Sequence, residues 1–107
     1  MGETGRNVVA VSSNTGVFAF PVAAWEPTYG ATSYEVQISQ SGYPWHTDKT
    51  IFTESTSVVL PLTKFDLGTW YYRVRSIDAS LPVGAQRGTW SRPVRVMITG
   101  NRVAVVG

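Results

Sequence analysis

A chain of 107 residues has room for one hydrophobic core and no second domain. With no cysteine and a single histidine it excludes disulfides, thiolate nucleophiles, cysteine-held metals and a multi-histidine metal site, while 43% hydrophobic residues exclude a disordered segment. The formal net charge of +2 is uneven: residues 1–72 carry −3, and residues 73–107 carry +5 through six arginines against Asp78.

Val, Ile, Thr and the aromatics number 44 against 23 good helix formers, which predicts an all-β chain. The first expected strand is Val8–Ser12, inside an N-terminal segment 1–14 that has no apolar leader for a secretory signal. That start is expected of a fragment or an assembly subunit. Val17–Trp25 follows, and then Tyr34–Ser39, in which Tyr34, Val36 and Ile38 share one face and Glu35 and Gln37 the other. Trp45–Leu60 is the longest stretch free of Gly and Pro. Its four threonines suit two strands, His46–Phe52 and Thr56–Leu60. In Thr69–Asp78, Trp70, Tyr72, Val74 and Ser76 are expected inward, with Tyr71, Arg73, Arg75 and Ile77 turned to water. Pro93–Thr99 is the seventh strand. Beyond it, Gly100-Asn101 makes a hairpin turn, so that 100–107 either doubles back as an eighth strand or leads away as a linker. Short strands with turn signals between them indicate a sandwich or barrel.

Three stretches carry a family resemblance. Pro21-Val22-Ala23-Ala24-Trp25-Glu26-Pro27 with Gly30 to Ser39 resembles strands B and C of a fibronectin type III domain. Leu67-Gly68-Thr69-Trp70-Tyr71-Tyr72-Arg73-Val74-Arg75 resembles its E–F corner and strand F, and Gly88-Thr89-Trp90-Ser91 with Val94, Val96 and Ile98 its strand G. The likeness spans 15–99 and is nearest to modules of bacterial surface proteins, secreted enzymes and phage particles. It implies an immunoglobulin-like β-sandwich of about seven strands in two antiparallel sheets. An extracellular, cell-surface or virion setting goes with it. The core implied is Trp25, Tyr34, Val36, Ile38, Trp70, Tyr72 and Val74, with Trp25 as the plug between sheets about 10 Å apart. Gly30 and Gly68 would permit tight turns, and Pro27 would end its strand. Two departures stand out. Trp70 occupies the position where the family usually has Tyr, so an indole N–H must fasten the corner or packing alone must hold it. Ala23 is small for its place, and Phe18 or Phe20 is expected to fill the volume.

No arrangement of catalytic side chains emerges. His46 would need Ser39 or Ser41 beside it, the acids follow no glycosidase pattern, and no Gly-rich loop precedes a helix, so neither an enzyme nor a cofactor is expected. The loop Ala79–Thr89 reads Gln86-Arg87-Gly88-Thr89 and lacks the acid of an Arg-Gly-Asp adhesion tip. Its apolar Leu81-Pro82-Val83 hints at a contact surface. Trp90-Ser91 is half of the Trp-Ser pattern of cytokine-receptor modules, and with Tyr71, Arg73 and Arg75 it predicts guanidiniums stacked on rings. Glu35 and Gln37 are expected to pair with those arginines across the sheet. Such a stack either stiffens the sheet or binds a ligand.

Tyr29, Tyr43 and Trp45 are candidates for stacking on a sugar, and Tyr71, Arg73, Arg75, Arg87 and Trp90 complete the candidate binding surface. The leading reading is a non-catalytic spacer or protein-interaction module in a larger surface, secreted or virion assembly. It would pair with a protein partner or with itself through sheet edges and Val-rich termini. A carbohydrate-binding module is the alternative. Nucleic-acid binding and membrane insertion are not expected.

Overall fold

The computed structural model describes residues 10–11, 21–63, 65–99 and 103–106. Within them lie eight strands: β1 (Ala10–Val11), β2 (Val22–Trp25), β3 (Ser33–Ser39), β4 (Lys49–Thr53), β5 (Ser57–Val59), β6 (Gly68–Ile77), β7 (Val94–Ile98) and β8 (Val103–Val106). Every pairing is antiparallel. One sheet has the order β1-β2-β5 and the other β4-β3-β6-β7-β8, so the chain is the expected all-β fold of two antiparallel sheets. One 3-10 turn, Val83–Ala85, is the helical element of the described residues.

Alternation builds the core. Along β6 every second residue from Trp70 to Ser76 is buried, and Val94, Val96 and Ile98 repeat the pattern on β7. These residues join Tyr34, Val36 and Ile38 of β3 and Ala23 and Trp25 of β2 in one cluster that draws on both sheets. Trp25 is 4% exposed and meets Tyr34 edge to face, with ring centroids 5.4 Å apart. Leu60 and Leu62, fully buried after β5, also belong to this cluster, although the alternation does not reveal them. Phe18 and Phe20, expected beside Ala23, lie outside the described residues.

The turns follow backbone chemistry. Gly30 (φ +82°) and Gly68 (φ +106°) both occupy the left-handed region that β-carbons disfavour. Gly68 opens β6, where Trp70 donates its indole N–H to the carbonyl of Asp66 at 3.0 Å. The turn into β6 is therefore fastened by the indole as well as packed. The tail pairs with β7 from Ile98↔Val103 to Arg95↔Val106, which makes it a strand of the larger sheet. The Gly100-Asn101 turn itself lies outside the described residues.

One expectation changes. Glu35, expected to face water, is 6% exposed. It does lie on the outer side of β3, and side chains reaching over the sheet from distant segments cover it. Tyr72 is buried as expected. Among the described residues its hydroxyl has no hydrogen-bond partner, although the backbone of Ala24 lies near it. Burial pushes this phenol from its ordinary 10.0 up to about 12, with the Ala24 backbone opposing part of the rise. An unfolded tyrosine ionises near pH 10 and the folded one two units later, so the fold loses stability as pH climbs through that interval. Tyr72→Phe is expected to be neutral or stabilising by about 1 kcal/mol at neutral pH, because it removes an unsatisfied buried donor. It should also flatten the loss of stability above about pH 10, measured as urea midpoints on either side of that value. An alkaline slope as steep as the wild type's would contradict this.

Candidate functional site

The outer face of the larger sheet gathers most of the candidate residues. In the register of β3 against β6, Gln37 sits opposite Arg73 and Glu35 opposite Arg75, close enough for each pair to bond across the strands. Arg73 donates Nε–H (3.0 Å) and Nη2–H (2.7 Å) to the Gln37 Oε1. The Thr47 hydroxyl donates to that same oxygen (3.1 Å) and accepts the indole N–H of Trp45 (2.7 Å). Arg75 Nε lies 2.7 Å from Glu35 Oε1, and Arg87 Nε lies 3.5 Å from it.

Two indoles interleave with the cations. The Arg73 guanidinium lies 4.3 Å from the Trp45 ring centroid and 4.2 Å from that of Trp90, while Arg75 lies 4.2 Å from Trp90. The order along β6 is Trp45, Arg73, Trp90, Arg75. Burial pulls the Arg73 guanidinium below its ordinary range, and the neighbouring Arg75 adds to this while Glu35 opposes it. It stays cationic at neutral pH.

Local sequence explains how Trp90 is held there. The pairing of β7 with β6 runs from Ile98↔Gly68 to Val94↔Tyr72. Pro93, which has no amide hydrogen, precedes that last pair. Ser91 then takes over: its N–H donates to the Val74 carbonyl (2.8 Å), and its hydroxyl accepts the Val74 N–H (3.0 Å). Gly88 N–H to Ser76 O (2.9 Å) and Asp78 N–H to Gln86 O (2.8 Å) carry the attachment further along β6. Trp90 is thus clipped between Arg73 and Arg75 by backbone-scale bonds. Ser91 and Thr47 are the contributors that residue patterns alone did not mark. The Trp-Ser pair ahead of Pro93 was the available signal for the first.

The sugar candidates do not converge. Trp45 is half-buried against Arg73, whereas Tyr43 is 96% exposed and Tyr29 88% exposed. Tyr29 precedes β3 and Tyr43 follows it, and a seven-residue strand separates its ends by about 20 Å. Tyr71 packs elsewhere, with its ring against Gly42 at the tip of the β3–β4 hairpin.

The residue types of a nucleophile and a base do meet, in a depression of about 210 Å³ lined by Ser39, Gln40, Ser41, His46 and Asp48. Their wiring is that of a turn. The buried Ser39 hydroxyl donates to Ser41 O (2.7 Å) and accepts the N–H groups of Ser41 (3.0 Å) and His46 (3.3 Å). Asp48 accepts the Gln40 N–H (2.9 Å). Among the described residues no group of three or more His, Asp or Glu is placed to hold a metal ion, and no helix is long and apolar enough to cross a membrane. Comparison of the chain with family models, with curated proteins and with solved structures finds no match.

Proposed function

We propose that the chain is a fibronectin type III-like module that spaces or joins parts of a larger surface, secreted or virion assembly, without catalysis of its own. The strand order β1-β2-β5 against β4-β3-β6-β7, the plug at Trp25 and the fastened corner at Trp70 support the family likeness. One observation carries the functional reading: the polar side chains of the outer face bond to one another and to backbone, not toward a cavity. Such a surface holds its own shape. One means of joining is a sheet edge. β8, with the sequence Val-Ala-Val-Val, carries none of the charge or proline by which edge strands avoid pairing.

Sedimentation velocity tests this. The chain is expected to associate reversibly with rising concentration. Ala104→Lys, at a position paired with the part-exposed Met97, is expected to shift it toward monomer. A strict monomer whose segment 100–107 is readily cut by protease would overturn the proposal.

A further inference from the structure

We infer that the ladder face is a docking surface for a carboxylate-rich protein segment. This inference rests on the reading of the chain as an interaction module and names the chemistry of the partner. Four cations share the face: Arg73 and Arg75 on β6, Arg87 in the loop beyond it, and Arg95, which β7 places opposite Tyr71. Against them stands Glu35, buried beneath Arg75 and already within reach of Arg87. Of the other described acids, Asp48 holds Gln40, Asp66 holds Thr63 and Asp78 holds Ser80, all in turns, while Glu26 and Glu54 lie in the links that leave β2 and β4. The face therefore carries an excess of positive charge that its own acids do not balance.

The stacking decides between kinds of anion. Trp90 has a guanidinium on Arg73's side and another on Arg75's, and Trp45 has Arg73 against it. With two guanidiniums within stacking distance, Trp90 is a poor platform for a nucleobase or a sugar. What the ladder offers is the donor edges of planar guanidiniums. Arg73 spends two of its five N–H groups on Gln37, and Arg75 keeps 23% of its side chain exposed while Arg87 keeps 51%. Indoles and cross-strand partners hold these forks in place, so they lose little freedom on meeting a carboxylate. Aspartate and glutamate side chains fit that geometry with two parallel bonds.

The test titrates the whole chain with an oligo-glutamate peptide at low salt and follows the arginine Nε–H signals by NMR. A heparin fragment and oligothymidylate are run beside it. Oligo-glutamate is expected to move the signals of Arg75 and Arg87 and to weaken with added salt. Arg87→Gln with Arg95→Gln is expected to weaken binding about five- to tenfold at an unchanged melting temperature. Should the double variant melt early, Arg95→Gln alone, which leaves Glu35 its partners, is expected to weaken binding about threefold. Absent or scattered shifts, binding indifferent to these substitutions, or tighter binding of heparin or oligothymidylate to this face would each overturn the inference. If it fails while self-association persists, only the acidic partner is lost. If both fail, the module reading goes with it.

Discussion

Trp25→Ala is expected to lower the stability of the fold by about 3–5 kcal/mol, a large share of the roughly 5–15 kcal/mol that a domain of this size possesses. The indole is 4% exposed, it fills the space between the sheets, and its edge-to-face contact with Tyr34 would vanish with it. The loss spreads beyond the cavity. Tyr34 is oriented by its hydroxyl, which accepts the Thr28 N–H at 2.9 Å, and its ring would lose the neighbour it packs on, whereas the backbone N–H of residue 25, which donates to Thr56 O at 2.9 Å, remains in the variant. Trp25→Phe separates volume from polarity. Among the described residues the Trp25 Nε1 is buried without a partner, so deleting it relieves a cost of about 1 kcal/mol while the smaller ring leaves a void. The phenylalanine variant should therefore lose less than half of what the alanine variant loses. Urea midpoints at constant slope read both values. An alanine variant within about 1 kcal/mol of wild type would show that the plug is not where the sheets are held together.

The inner face was legible because strand side chains repeat every two residues, and Trp70, Tyr72 and Val74 on β6 follow that rule without exception. The pairs Glu35–Arg75 and Gln37–Arg73 were legible for a related reason. Once the inner residues of β3 and β6 are known, the outer ones can meet only across the sheet. The covering of that face was not legible. Alternation assigns Glu35 to the outside but says nothing of Trp90 and Arg87, which arrive from a loop some fifty residues later and close over it. Leu62 escaped because it lies past Pro61, between strands, where no period applies. Tyr29, Tyr43 and Trp45 form one set only as aromatics in or near loops, and the length of β3 sets Tyr29 apart from the other two. At Trp70 the residue type left a bond and mere packing both open, and the Asp66 carbonyl, four residues upstream, accepts the indole N–H.

Arg73→Ala is expected to cost about 2.5–3.5 kcal/mol. Two ring contacts at 4.2 and 4.3 Å are each worth about 0.5–1 kcal/mol. The charge-assisted bonds to Gln37 add about 1.5 kcal/mol or more. Arg73→Lys keeps the charge but not the plane. An ammonium cannot lie flat between two indoles while also giving two parallel bonds to one amide oxygen, so lysine should recover less than half of the loss. The ladder also makes a prediction about coupling. Trp45 comes from the β3–β4 hairpin and Trp90 from the loop before β7, and both rest on the same guanidinium. In the wild-type background, Trp45→Ala and Trp90→Ala should be non-additive by about 0.5–1 kcal/mol. In an Arg73→Ala background they should become additive. A purely local stack, in which each ring packs against its own strand, predicts additivity in both backgrounds, and an Arg73→Lys variant as stable as wild type would support that simpler picture. The distinction matters for β6, which beyond Tyr72 no longer pairs with β7 and holds its edge through Ser91, Gly88 and the ring clamped between Arg73 and Arg75. If the two indoles are coupled through Arg73, that half of β6 is stiffened by side chains where backbone pairing ends, and the cations beside it are presented from a fixed platform.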